Sequence, residues 1–402
     1  MLTLLQNVLL ALIGLFFIWK VLTHVCTWYY FARYDRRQPL TGYEPPVSII
    51  KPAKGVDQSA LANFGSFCEQ DYSNDYEVLF CVDDPADASV PIIRQTMAAY
   101  PDQKIRLVYS DPDNTRAVGK LKKTIAGLAE SSYDVIIFSD SDAYAPPTFL
   151  KETVACVEDP AIGLGFSAPA YKGFQDWGAA LMASSVNELV LNMATPSLFG
   201  LFDGAVGTTM VVRREVLQQI GGLEWLGRQI VDDIPLSRAI RKQGYRIHLL
   251  KQPARIWHHH DTFRRWWWHW HRWQVIIRKH WPVKSFVMNV LDLALWWTLF
   301  YLLIAVIRDG NLATGALLTL AVLAASLLSA VVINMQYGRN EKLWRFLWVV
   351  AIREVARLPL LIHSYLSNEF VWRGERFRIH ADGTATLLET TEDSLLGQHS
   401  GA

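Results

Sequence analysis

Net charge is what this chain has least of. Its 39 Lys and Arg against 38 Asp and Glu leave a formal charge of +1, so no global field gathers polyanions, and nucleic acid is not expected as a partner. Cysteine is also scarce. Cys26, Cys68, Cys81 and Cys156 show no paired spacing of the metal or redox kind, and they read as small buried hydrophobes of a reducing compartment. No internal repeat or low-complexity linker is present, which excludes a solenoid or a tethered array. The N-terminus lacks the basic start of a cleaved signal peptide.

What the chain has instead is apolar length, unevenly placed. Val8–Trp19 is unbroken, within mostly apolar flanks from Leu2 to Ala32 interrupted by Lys20, and this is long enough to span a bilayer. Trp28, Tyr29, Tyr30 and Phe31 then form an interfacial belt ahead of Arg33, Arg36 and Arg37, so the following segment is expected on the cytoplasmic side. Phe286–Ile307 and Leu312–Ile333 read as two further spans joined by Arg308-Asp309-Gly310-Asn311, with Arg339, Lys342 and Arg345 at the return. Leu343–Leu366 is apolar too, but it carries Arg345, Arg353, Glu354, Arg357 and Pro359. Charges at mid-span are expensive, so this stretch is expected to be re-entrant or interfacial, packed on the soluble domain. Seven of the 16 Trp lie between Trp257 and Trp281 among Arg and His. That composition suits a helix lying in the headgroup layer. The expected organisation is a transmembrane helix over 1–32, a cytosolic domain over 46–262 and an interfacial helix over 263–284. Transmembrane or re-entrant helices follow over 286–367, and a tail over 368–402, polar from about Asp382. The whole is an integral, multi-pass protein of the lipid bilayer.

Between Pro46 and Ala254 short apolar runs alternate with helical stretches, the pattern of βαβ units and a mostly parallel α/β sheet. Strands are expected at Val47–Lys51, Tyr76–Val82, Ile105–Tyr109, Val135–Ser139, Gly163–Pro169 and Thr208–Arg213. Helices are expected at Leu61–Cys68, Val90–Tyr100, Lys120–Ala129 and Ile234–Gln243.

Carboxylates stand at the ends of these runs, where open α/β sheets bind ligands. Asp140-Ser141-Asp142 follows Val135–Phe138. Two Asp one residue apart past a strand end suit a hard divalent cation carrying a diphosphate, while a solvated turn is the ordinary use of such residues. Asp83-Asp84 ends another strand. Neighbouring side chains of an extended chain point oppositely, so only one faces the site; Asp84 is favoured, with Asp83 a solvated turn residue. Asp232-Asp233 opens a helix, either as a simple cap or with one member a general base for a hydroxyl. Arg272-Trp273, in His269-Trp270-His271-Arg272-Trp273, is either an interfacial pair or a diphosphate-stabilising Arg beside a packing Trp. Lys54 and Lys120 touch phosphates or are solvated lysines. Consecutive His258, His259 and His260 cannot easily converge on one ion.

Together these residues resemble the ceramide glucosyltransferase family, membrane-bound GT-A enzymes related to cellulose and hyaluronan synthases. The family's pattern of D, D, D and (Q/R)-x-x-R-W falls on Asp84, Asp140, Asp233 and His269–Trp273. Lys51–Asp57, Gly207, Gly221-Gly222-Leu223, Ile352-Arg353-Glu354 and Trp372–Arg378 also match. The resemblance implies a GT-A, Rossmann-like catalytic domain that takes a UDP-sugar, UDP-glucose first. It implies Mg2+ or Mn2+ on Asp140 and Asp142, a ceramide-like membrane lipid hydroxyl as acceptor, and inversion with Asp233 as base. Arg272 and Trp273 would serve the chemistry, and Lys54, Asp84, Lys120, Asp140 and His269 the donor. His269 departs from the family, which carries Gln or Arg there. A hopanoid or other glycolipid acceptor stays open, as does a non-catalytic membrane scaffold of the same fold. A processive polysaccharide synthase would need more spans than this chain has.

Overall fold

A computed structural model describes residues 1–37, 42–111, 119–227, 229–338, 343–372 and 375–390. The described chain divides into two compact units. One comprises Tyr29–Ala170 and Met193–Trp257; the other comprises Met1–Trp28, Tyr171–Asn192 and the described residues from His258 to Thr390. Tyr171–Asn192 therefore joins the second unit, although it lies inside the 46–262 stretch.

The first unit is built on a sheet of β1 (Val47–Pro52), β2 (Tyr76–Val82), β3 (Lys104–Tyr109), β4 (Val135–Ser139), β5 (Ile162–Phe166), β6 (Thr209–Arg213) and β7 (Arg246–Leu249). Their order across the sheet is β3-β2-β1-β4-β6-β5-β7. The β1–β2, β2–β3, β1–β4 and β5–β7 pairs are parallel, and β6 runs antiparallel to both β4 and β5. Every residue of β1, β2 and β4 is buried. Coverage on both faces is why these strands read as continuous apolar runs rather than alternating ones. Val47, Ile49, Val78, Phe80 and Ile137 anchor the core, with the Phe64 ring 4.7 Å from that of Phe80.

This topology positions the carboxylates. Parallel β1, β2 and β4 end at one edge, so Pro52, Val82 and Ser139 finish together. Because β6 runs the other way, its beginning comes to that same edge, with Thr209 opposite Ser139. The expected strands and helices of this unit all form, to within a few residues of their expected ends.

Leu2–Arg33, of which all but Tyr29–Arg33 belongs to the second unit, and Ala313–Gly338 within that unit are long and apolar enough to cross a membrane. Over the expected span Phe286–Ile307, the helices Pro282–Asp292 and Ala294–Arg308 meet at a 53° bend, the form of a broken span or a re-entrant loop. The break falls at Leu293, next to Asp292, whose carboxylate pairs with Arg357 at 2.7 Å. Gly315 lets the helix Ala313–Ile333 approach the helix Ala294–Asp309 closely, since a Cβ there would lie 2.8 Å from Leu302 Cα.

Arg353, Glu354 and Arg357 of the Leu343–Leu366 stretch are paired within this unit. Glu188 meets Arg353 at 3.2 Å and Lys20 at 3.5 Å, and Glu354 meets Arg353 and Arg357 at 2.9 Å. The Trp-rich helix Phe263–His280 begins at Thr262, whose hydroxyl accepts the Arg265 amide, and ends where Pro282 opens the next helix. Its buried Trp266 donates to Ser185 Oγ at 3.1 Å. Arg339, Lys342 and Arg373 lie outside the described residues.

Candidate functional site

The acidic edge of the first unit is organised by two lysines. Lys51 stands in β1 with its side chain fully buried. Its ammonium donates to the Asp140 carbonyl at 2.8 Å and to Ser139 Oγ at 3.4 Å, and sits 3.6 Å from the centre of the Phe67 ring. Burial pulls its pKa down to about 7, against the carboxylates of Asp142, Asp140 and Asp57, which hold it up. The turn is pinned from its other side by Ser141 Oγ, which donates to Asp57.

Lys120, at the start of the helix Gly119–Glu130, gathers the rest. Its ammonium lies 2.7 Å from Asp140 Oδ1, 3.6 Å from Asp232 Oδ2 and 2.9 Å from the Gly207 carbonyl. Burial alone would lower its pKa, but Asp140 and Asp232 outweigh that and hold the ammonium above the ordinary lysine range. The Gly207 amide in turn donates to Asp233 Oδ2 at 2.8 Å, and Ile234 N to Asp233 Oδ1 at 2.7 Å. A side chain at position 207 would put its Cβ 3.1 Å from Lys120 Nζ, 3.2 Å from Asp232 Oδ1 and 3.3 Å from Asp233 Oδ2. Glycine is the residue that fits among three charged groups.

Simple capping does not describe Asp232, whose side chain makes no cap hydrogen bond and faces Lys120 instead. Asp233 is pushed up to about 7. Burial is the largest cause and the adjacent Asp232 carboxylate the next, with Lys120 opposing. A carboxylate so poised takes a proton from a hydroxyl far better than an ordinary Asp.

Asp140, Lys120 and Asp233 thus converge, with Asp232 and Gly207 as partners that sequence reading assigned to capping or left without a role. Asp84, at the tip of β2, accepts the Ala86 amide at 2.8 Å in its own turn. Asp83, expected to be a solvated turn residue, is exposed at its bend, and it also pairs with the nearly buried Lys123 at 2.7 Å and accepts from Ser110 Oγ at 2.6 Å. Lys54 lies on the loop after β1, beside Gly55, whose amide is held by Asp87 at 2.9 Å.

Among the described residues, no three His, Cys, Asp or Glu side chains form a ready metal cage. The donor set nonetheless fits Mg2+ or Mn2+. The Asp140 and Asp142 carboxylates are hard oxygen ligands, and such ions commonly fill their other positions with water and substrate phosphates.

His269, Arg272 and Trp273 belong to the helix Phe263–His280 of the second unit. The His269 ring lies 4.8 Å from that of Trp273, as expected one helical turn away. Burial and the Arg272 charge push the pKa of His269 well below its usual value, keeping it neutral. The Arg272 guanidinium lies 5.2 Å from the ring centre of Trp372, within cation–π range.

Comparison with known proteins adds the following. The family model described as glycosyl transferase family 21 matches residues 7–385. A ceramide glucosyltransferase of Candida albicans is 31% identical over 118 residues, 27% of this chain and 22% of that protein. Ceramide glucosyltransferase 1 of Caenorhabditis elegans is 22% identical over 254 residues, covering 61% and 53%. The chain thus spans about half or less of the curated relatives it matches. Among solved structures, a mannosyltransferase from Pyrobaculum calidifontis, in complex with GDP-Man and Mn2+, is similar with a TM-score of 0.52 at 19% identity, over 87% of this chain and 99% of that one. That likeness establishes the GT-A fold.

Proposed function

Since the chain belongs to glycosyltransferase family 21, we propose that it transfers a hexose, glucose first, from a UDP-sugar to the hydroxyl of a ceramide-like membrane lipid, with inversion. One observation carries this reading: Asp140, Lys120 and Asp233 meet at the strand edge where α/β sheets take their ligands. They supply an acidic pole, a cation and a carboxylate with a pKa near 7.

In the proposed step Asp233 accepts the proton of the acceptor hydroxyl as its oxygen attacks the anomeric carbon. The new C–O bond forms on the face opposite the diphosphate, and the old bond breaks with its electron pair leaving on the diphosphate oxygen. Lys120 meets the charge that develops there. The family pattern assigns Arg272 the same task and Trp273 a packing role, and gives donor contacts to Lys54, Asp84 and His269. A Mg2+ or Mn2+ held by Asp140 and Asp142 would supply Lewis-acid neutralisation of the diphosphate. The apolar helices support an integral, multi-pass enzyme with its catalytic domain on the cytoplasmic face, since a two-tailed acceptor does not leave the bilayer to meet a soluble donor.

The test is mass spectrometry of lipids made by purified protein given UDP-glucose, UDP-galactose or UDP-N-acetylglucosamine with ceramide or a hopanoid. Hexosylceramide from UDP-glucose is expected. A product on the hopanoid alone would overturn the acceptor. Absence of every glycolipid from active-site-intact protein would overturn the transferase reading in favour of a scaffold.

A further inference from the structure

The Lys120 ammonium occupies a cradle of oxygens delivered by three distant segments. They are Asp140 Oδ1 at 2.7 Å beyond β4, the Gly207 carbonyl at 2.9 Å before β6, and Asp232 Oδ2 at 3.6 Å before the helix Asp233–Lys242. The lysine side chain is 19% exposed and that of Asp140 35%, so the carboxylate stays within reach of solvent while its inner oxygen is already taken. The same carboxylate is the proposed ligand of the divalent cation. Such a cation binds carboxylate oxygen at about 2.0–2.6 Å, closer than the ammonium sits. Two cations on one oxygen repel strongly at the reduced dielectric of a partly buried site.

Resting on the proposed metal-assisted reading, we infer that Lys120 is a displaceable internal cation. In the donor-free protein it neutralises Asp140 and Asp232 and holds the strand edge together. When a divalent cation and a nucleoside diphosphate arrive, it gives up Asp140 Oδ1 to the metal and turns to the diphosphate, which offers it a new anionic partner. Two consequences follow. Metal alone binds weakly, because it must expel an ammonium that has nowhere equally good to go. Donor and metal bind cooperatively, because the diphosphate provides that place. Gly207 belongs to the same device, since any side chain there would crowd both the lysine and the carboxylates it leaves.

The experiment measures Mn2+ binding to the full chain in nanodiscs, without nucleotide, from the electron paramagnetic resonance signal of unbound Mn2+. Lys120→Met and Lys120→Gln are each expected to bind Mn2+ about tenfold tighter than the wild type, equivalent to about 1.4 kcal/mol. Lys120→Arg, which keeps the charge, is expected to stay within about threefold of the wild type, under 0.7 kcal/mol. Circular dichroism and thermal unfolding identify any variant that has lost its fold; the two neutral variants differ in shape, so either one that folds decides the matter. Equal or weaker Mn2+ binding by a folded neutral variant overturns the inference and leaves the transferase reading standing. Wild-type Mn2+ affinity in Asp140→Asn would instead remove the metal reading itself, and the inference with it.

Discussion

With Asp233 as the proposed base, its surroundings set the pH dependence expected of transfer. Burial and the Asp232 carboxylate raise its pKa from 3.8 to about 7, so it is deprotonated for about half of the molecules at pH 7, about a tenth at pH 6 and about a hundredth at pH 5. The kcat/KM for the lipid acceptor should therefore fall about tenfold per pH unit below 7, with a single-proton slope. An ordinary Asp at 3.8 would leave the profile flat over that range. Asp233→Asn should lose at least about a thousandfold in kcat, at the upper part of the range for general-base catalysis, with no acid limb near 7 in the residual rate. Stability moves the other way. Between pH 3.8 and about 7 the native state holds a proton that the unfolded chain has released, so the wild type loses stability as pH rises through that window. Three pH units would correspond to about 4 kcal/mol. The carboxylate is partly solvent-exposed and lies beside the charge of Asp232, so about 1–2 kcal/mol is the expected loss. Asp233→Asn should lack this pH-dependent loss, although its amide nitrogen faces one of two backbone N–H donors and lowers stability by a pH-independent amount of about 1–3 kcal/mol. The assay is a UDP-release rate from pH 5 to 8.5 beside thermal unfolding in the same buffers. A wild-type profile that stays flat down to pH 5, or Asp233→Asn turning over at the wild-type rate, refutes the reasoning.

Other outcomes are expected. Gly207→Ala, whose new methyl would press on Lys120, Asp232 and Asp233 at 3.1–3.3 Å, should lower kcat at least tenfold while reducing stability by only about 1 kcal/mol; unchanged kcat would show that the cluster is not used. Lys51→Met removes the buried donor to the Asp140 carbonyl and should raise the donor KM about tenfold more than it changes the acceptor KM, as steady-state kinetics can separate. Glu188, held down to about 2 chiefly by Arg353 and Lys20 against the cost of burial, stabilises the second unit above pH 4.5, a contribution lost as pH falls toward 2. Glu188→Gln should destabilise that unit by about 3–5 kcal/mol, because it takes the carboxylate from the nearly buried Lys20 and one of the two carboxylates from the buried Arg353; thermal unfolding at pH 7 within about 1 kcal/mol of the wild type would contradict the ion network. Asp83→Asn should weaken folding more than Asp84→Asn, since only Asp83 pairs with the nearly buried Lys123, and chemical denaturation would rank the two.

The strands of the first unit were legible because parallel strands covered on both faces leave unbroken apolar runs, as Tyr76–Val82 and Val135–Ser139 do. The acidic residues at their ends were legible for the same reason: chain polarity sends the ends of parallel strands to one edge. The convergence of Asp233 on that edge was harder to read, because it depends on β6 running antiparallel and bringing Gly207 to Asp233. Lys51 carried a signal that could have been used, a lysine inside a strand otherwise made of fully buried residues. Nothing local distinguished Asp83 from Asp84, since the choice rests on Lys123 and Ser110, which lie 40 and 27 residues along the chain. The bend within the expected span Phe286–Ile307 was not legible, because a hydropathy pattern does not place a helix break.

The most direct test of the central claim, a single displacement driven by the Asp233 carboxylate, is the anomeric configuration of the glycolipid product by proton NMR. From an α-linked UDP-hexose the expected product is a β-linked lipid, formed by the wild type and at least about a thousandfold more slowly by Asp233→Asn. An α-linked product would contradict it.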